Sequence, residues 1–301
     1  MGKKTILCIG MGAVGCLYMS HCDPDKTRVF GVARSDADEM KEQGISILDP
    51  EGKTRVWHPE RVFSSLKEVS CEPDFVVIAT KAIPDTLSLD ALRLILAPKS
   101  VLVLIQNGLY IEEPYLNAFP DHELLSALAF VCVTKTAPAQ IHHQDFGRLV
   151  IGPYPQGDSK QAIQFASFFD HFGLSCKLSS DILYQRYKKL MWNAAFNCLS
   201  VIHEGLTTQA LLADPLIEAR IFRIMKEVQQ VACVAGCSID DRVIEAHISD
   251  TKKMIDYKPS MCLDWEANRP LETEAILGNV VRYAERHGVE VPELGELYGF
   301  F

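Results

Sequence analysis

Hydrophobic residues follow two rhythms along this chain. In the first half they come as short, nearly unbroken runs separated by helix-compatible stretches, and in the second they recur at helical spacing over long spans. Ile6-Leu7-Cys8-Ile9 leads straight into Gly10-Met11-Gly12-Ala13-Val14-Gly15 and then Cys16–His21, which predicts strand, glycine turn and helix. Arg28–Ala33 predicts a second strand, after which Ser35 or Asp36 can cap a helix running to about Gln43. The segments Asp74–Ala79 and Val101–Ile105 are almost wholly apolar, as parallel strands covered on both faces are, and Asp85–Leu96 between them reads as helical. Strands alternating with helices predict an α/β fold with a doubly wound, Rossmann-type sheet.

Beyond this unit the rhythm changes. Leu124–Ile151 reads as strand-like stretches joined by Pro138 and Gly147, added at the sheet edge, and Gly152–Gly157 is a cluster of turn residues. A helix over Ser159–Phe172 and a short strand over Cys176–Leu178 follow. The remainder is helix after helix, over 182–203, 214–235, 240–255 and 270–287. The expected division is therefore a nucleotide-binding Rossmann-type domain over 1–180 and an all-helical domain over 181–301.

Composition narrows the class of partner. With 301 residues, 48% of them hydrophobic and 23% charged, the chain can build real cores and is no disordered polymer. A formal charge of −9 supplies no overall drive toward nucleic acid or an anionic membrane face, so a small-molecule partner is expected. The ten cysteines are scattered without C-x-x-C spacing, and Cys233 and Cys237, one helical turn apart, lack a matching second pair. Reduced thiols and a cytoplasmic location are expected, with no metal. The longest apolar stretch, Leu124–Val133, is too short to span a bilayer. Lys3 and Lys4 before the apolar run to Met19 imitate a secretory signal, but the glycines explain that run better.

Those glycines carry the first candidate chemistry. A glycine triplet alone is weak, and a purely structural turn is its alternative. Placed between strand and helix, the first glycine permits the turn, the second lets backbone approach a pyrophosphate, and the third allows close helix packing. The loop Gly10, Met11, Gly12, Ala13, Val14, Gly15 is thus the candidate cofactor-binding turn. Arg34 stands where a basic side chain would pair with the 2′-phosphate of NADP, whereas Asp36, if it does not cap its helix, would suit the ribose of NAD. Thr80-Lys81-Ala82 and Gln106-Asn107-Gly108 end two further parallel strands, at the edge where open sheets bind ligands, although turn chemistry explains them equally well.

The helical half holds a polar stripe. Lys189, Asn193 and Asn197 recur every four residues in an otherwise apolar helix, drifting by only ~40° per step, so they form one ribbon on one face. Burying such an amide unpaired costs about 1–3 kcal/mol, so the ribbon requires partners: a substrate or, equally, neighbouring helices. Ser260 can cap a short helix containing Asp264, and Glu272, following Arg269-Pro270, would fall at the third position of the next helix, where glutamates commonly cap.

Taken together, Gly10-x-Gly12-x-x-Gly15, Thr80-Lys81-Ala82, Gln106-Asn107-Gly108, the Lys189-Leu-x-x-Asn193-x-x-x-Asn197 run, Lys258-Pro-Ser260-Met-x-x-Asp264 and Arg269-Pro-x-Glu272 resemble the ketopantoate reductase (2-dehydropantoate 2-reductase) family nearly end to end. The resemblance implies NADPH-dependent reduction of a 2-oxo acid, 2-dehydropantoate to pantoate in pantothenate biosynthesis, between a Rossmann domain and a helical domain. By that resemblance Lys189 donates the proton, Asn193, Asn197 and Ser260 hold the substrate, Lys81 and Asn107 lie near the cofactor, and Glu272 stands where substrate meets nicotinamide ribose. Two features depart from the family pattern. Thr207 and Thr208 occupy the stretch where a further substrate asparagine often stands, and no amide precedes Lys258-Pro259 near Tyr257, so another branched 2-oxo acid is an open alternative. A non-catalytic nucleotide sensor is another. Tyr184 to Lys188 has the Tyr-x-x-x-Lys spacing of short-chain dehydrogenases, but it precedes a buried helix in the second domain. Oligomeric state is not legible, although Phe300-Phe301 would suit the interface of a homodimer or the core.

Overall fold

The fold is described from a computed structural model that covers residues 2–169 and 173–301. The chain forms two compact units: Met1–Lys81, Asp85–Gln106 and Glu112–Ile182 make the first, and Ala82–Pro84, Asn107–Ile111 and Leu183–Phe301 the second. Two short loop segments that the sequence pattern keeps with the sheet thus belong to the helical unit.

In the first unit ten strands form one sheet: β1 (Lys4–Ile9), β2 (Thr27–Val32), β3 (Ile45–Leu48), β4 (Thr54–Trp57), β5 (Arg61–Phe63), β6 (Phe75–Ile78), β7 (Val101–Ile105), β8 (Leu124–Ala137), β9 (Gln140–Pro153) and β10 (Cys176–Leu178). Their order is β4-β3-β9-β8-β7-β6-β1-β2-β5, with β10 against β9. From β8 through β5 neighbouring strands run parallel, while β8 and β9 form a long antiparallel hairpin. The helices of this unit are α1 (Ala13–Met19), α2 (Ala37–Gln43), α3 (Leu89–Arg93), α4 (Glu113–Ala118) and α5 (Lys160–Ala166).

The near-continuous apolar strands are explained by cores on both faces. Ile6, Cys8, Val77, Val103 and Leu125 pack in one cluster, while Leu7, Ile9, Val76, Ile78, Leu102 and Leu104 pack in the other. Three expectations need correction. The β8–β9 hairpin lies inside the sheet, because β3 and β4 pair beyond it; β4 alternates exposed and half-buried residues too weakly to announce itself. Gly147 joins nothing: at φ +138° it is the unpaired residue of a bulge within β9, between Phe146 and Arg148. The helix expected over Asp85–Leu96 shrinks to α3, which starts where the Ser88 hydroxyl accepts the Ala91 N–H at 3.2 Å. Of the helix expected over Ser159–Phe172, α5 and a short turn to Phe169 form, and 170–172 lie outside the described residues.

The second unit is helical. A continuous helix comprises α6 (Ile182–Trp192), a π turn at Asn193–Asn197 and α7 (Cys198–Ile202). It is followed by α8 (Thr208–Ala213), α9 (Pro215–Val234), α10 (Asp241–Lys253) and α11 (Ser260–Glu266), then a second π turn at Glu274–Gly278 that runs into α12 (Asn279–Arg286), and α13 (Pro292–Phe300). Asp214 and Asp240 cap α9 and α10 through side-chain bonds to the first-turn N–H groups. The Glu227 carboxylate, buried on α9, starts α13 by accepting the Glu293 and Leu294 N–H groups at 2.9 and 2.8 Å. Leu190, Met191, Ala194, Ala195 and Phe196 are fully buried in the core of this unit with Ile221, Met225 and Leu277. Among the described residues no helix is long and apolar enough to cross a membrane.

Candidate active site

The strand ends of the sheet unit gather the first group of candidates. The turn after β1 is tightly built: Gly10 has φ +99°, and a Cβ there would lie 2.6 Å from the Thr80 backbone nitrogen after β6. A Cβ on Gly15 would lie 2.3 Å from the Gly10 carbonyl oxygen, so this glycine allows α1 to pack against its strand. Gly12 has nothing within 4 Å of the corresponding point, and its backbone is open to an approaching group. Met11 is buried with its thioether over Gly31 on β2, while Ala13 and Val14 pack against the core, so the loop exposes main chain rather than side chains. The Gln106 side chain donates to the Thr80 carbonyl at 2.8 Å, binding the ends of β7 and β6 together, and Lys81 follows Thr80 directly.

Arg34 is exposed just beyond β2. Asp36 occupies the start of α2 without a side-chain capping bond. Its carboxylate instead accepts from Lys135 at 2.8 and 2.9 Å and from the Ala139 N–H at 3.2 Å, and these donors hold it below the usual carboxylate range against the opposing effect of burial. A carboxylate so engaged has little capacity left for a ribose.

In the helical unit the second group forms one chain of contacts. Lys189 Nζ donates to Asn107 Oδ1 at 2.9 Å, Asn107 Nδ2 donates to Glu272 Oε2 at 3.4 Å, and Glu272 Oε1 accepts the Ala82 N–H at 2.9 Å. The amide is oriented with its oxygen on the ammonium and its nitrogen on the carboxylate, the arrangement that satisfies both. Burial pushes Lys189 down to about 7; the neighbouring Arg186 cation adds to this and Glu272 opposes it. Glu272 is not a third-position capping residue, because the helix begins only at Thr273, leaving its carboxylate for Asn107 and Ala82.

Asn193 and Asn197 bound the π turn, and both are buried. Asn197 Oδ1 is a buried acceptor with no hydrogen-bond partner among the described residues. Ser260 is exposed at the first position of α11; it does not cap that helix, whose capping position is Pro259. α11 packs against the π turn and α7, while Asp264 holds Arg269 at 2.9 Å. Thr207, one of the two threonines in the stretch where a further asparagine is often expected, caps α8 by accepting the Ala210 N–H at 3.3 Å. The sequence pattern overlooks Arg186, although a charged residue one turn before Lys189 on a largely buried helix is a signal. Gly108 and Ala82 stand in the two strand-end motifs, but the pattern does not show that they act through main-chain groups.

Comparisons with known proteins give the family. The ketopantoate reductase PanE/ApbA family model matches residues 6–156 and its C-terminal counterpart residues 181–301. The chain belongs to the ketopantoate reductase family. A 2-dehydropantoate 2-reductase from Nostoc sp. is 31% identical, with 99% of this chain and 94% of that protein covered. The crystal structure of 2-dehydropantoate 2-reductase from Methylococcus capsulatus superposes with a TM-score of 0.91 at 38% identity, covering 98% and 95% of the two chains. D-Mandelate dehydrogenase with NADH and anilino(oxo)acetate shares the fold at 22% identity, with a TM-score of 0.87 and coverage of 98% and 96%. As a ketopantoate reductase family member, the protein is an oxidoreductase acting on a 2-oxo acid, built on a Rossmann-like NAD(P)-binding fold and a helical unit.

Proposed function

We propose that the protein reduces 2-dehydropantoate to pantoate with NADPH, and that Lys189 is the proton donor. The observation that carries this reading is the Lys189–Asn107–Glu272 chain, in which an amine brought close to neutrality at physiological pH is held in place by an amide and a carboxylate. The reduced nicotinamide, when bound, supplies the hydride to the carbonyl carbon. Negative charge then grows on the carbonyl oxygen, where the Lys189 ammonium stabilises it and releases its proton to it. Asn107 keeps the amine in place, and Glu272 anchors that amide together with the Ala82 backbone. Asn193, Asn197 and Ser260 hold the substrate with neutral groups, which leaves the lysine charge unquenched.

The cofactor loop fits the role assigned to it: crowded at Gly10 and Gly15, open at Gly12. Arg34 selects NADPH through the 2′-phosphate, and the engagement of Asp36 by Lys135 supports this, since it removes the acidic competitor that would favour NADH.

NADPH oxidation with a panel of 2-oxo acids, at fixed salt and pH, tests the assignment. The largest kcat/KM is expected for 2-dehydropantoate, and Arg34→Ala is expected to weaken NADPH binding while leaving NADH binding unchanged. A larger kcat/KM for another branched 2-oxo acid would establish the second reading, favoured by the use of Thr207 as a helix cap in the stretch where the family often has a substrate amide. No turnover of any 2-oxo acid, with NADPH bound, would leave a nucleotide-sensing protein.

A further inference from the structure

Arg186 lies one helical turn before Lys189 and is the largest fully buried side chain among the described residues. An arginine so enclosed has to be held by specific acceptors, because desolvating a guanidinium is costly. One of them is on the segment that carries Asn107: Arg186 Nη1 donates to the Gly108 carbonyl at 2.9 Å. That segment is pinned at Leu109 as well. The Leu109 N–H donates to the Ala275 carbonyl at 2.9 Å, Asn279 Nδ2 donates to the Leu109 carbonyl at 2.7 Å, and Gly108, at φ +108°, leaves only 2.5 Å between its own would-be Cβ and that of Ala275. Asn107 is thus presented to Lys189 from a fixed bracket, and Arg186 closes the bracket on the side of the Lys189 helix.

We propose that Arg186 is a positioning residue of the reaction: through the Gly108 carbonyl it fixes Asn107 opposite the Lys189 amine, and it stands as a buried cation one helical turn from that amine. The inference rests on the reading of Lys189 as proton donor. Residues three apart on a helix face each other, so the two cations act on each other directly, and Arg186 adds to burial in pushing Lys189 down. Glu272, from the segment before α12, acts in the opposite sense. Asn107 faces the amine from its bracket without charge. On α11, Asp264 is committed to Arg269, and Lys258 just before that helix is committed to Glu266. Arg186 is thus the cation whose removal should change Lys189 most.

The test is the pH profile of kcat/KM in Arg186→Met and Arg186→Lys, with NADPH binding and thermal melting recorded for each. In Arg186→Met the fall of activity on the alkaline side should move up by roughly one pH unit, because a like charge has gone. Its kcat should drop by at least about tenfold as Asn107 loses its seat, with NADPH affinity unchanged. Arg186→Lys, which keeps the charge on a shorter reach, should retain the wild-type alkaline limb while losing part of kcat. If Arg186→Met fails to fold, Arg186→Gln makes the same neutral comparison. Wild-type limbs in both neutral and charged variants, with only lower melting temperatures, would overturn the proposal and leave Arg186 a structural residue. Persistence of the alkaline limb in Lys189→Met would instead overturn the reading of Lys189 beneath it.

Discussion

At the strand ends of the sheet unit the available chemistry is main chain, whereas in the helical unit it is buried side chain. Gly10, Gly12 and Gly15 offer backbone because a Cβ is either forbidden or absent, and Met11, Ala13 and Val14 turn their side chains inward. Arg186, Asn193 and Asn197 are instead buried polar groups in an apolar bundle, with the half-buried Lys189 held on Asn107 beside them. Main-chain groups keep fixed donors and acceptors whatever surrounds them. Buried side chains take their properties from burial, which pushes Lys189 down to about 7. The first unit therefore suits holding a constant cofactor, and the second suits tuning a reaction.

Substitutions can break this contrast. The largest effect is expected for Lys189→Met, which should lower kcat by about 10²–10⁴ while NADPH still binds, as measured by steady-state kinetics alongside equilibrium titration. Next comes Asn197→Ala, for which the KM of the 2-oxo acid should rise roughly 5- to 150-fold, the equivalent of about 1–3 kcal/mol, with little change in NADPH affinity. An unchanged KM would return Asn197 to a purely structural role. In the sheet unit Gly15→Ala should cost about 1–3 kcal/mol of stability in denaturant unfolding because its methyl meets the Gly10 carbonyl. Gly12→Ala, with open space before it, should leave stability near wild type and weaken the cofactor alone. The smallest change is expected for Thr207→Ala: about 1 kcal/mol of stability from the lost cap, with substrate KM unmoved. A raised KM in that variant would show the threonine serving the substrate after all.

Much of the sheet unit was legible because its strands are apolar on both faces and its turn uses glycine where nothing else fits. β1, β2, β6 and β7 fall where the hydrophobic runs place them, and Gly10 and Gly15 have the roles that their spacing predicts. β3 and β4 escaped because a short edge pair carries almost no hydrophobic period. In the helical unit the polar stripe was visible, but its surroundings were not. Helical periodicity gives no sign that the chain widens into a π turn between Asn193 and Asn197, or that another such turn follows Glu272. Pattern alone also placed Glu272 inside a helix as a cap, when the helix begins one residue later and the carboxylate binds two segments distant in sequence. Contacts across more than 80 residues, such as Lys189 to Asn107, leave no local trace in the chain.

The two wide turns also set a constraint on length. A π turn amounts to one residue more than an α-helix needs, so deleting a single residue within 193–197 would let the helix rewind as regular α. The downstream helix would keep its facing, because the wide turn already absorbs the extra residue, so Leu199 and Val201 would stay in the core while the two asparagines at the ends of the turn would come to stand three residues apart. Shortening this region by one residue should therefore leave the bundle standing and act on the spacing of the asparagines alone, a dependence on count rather than composition.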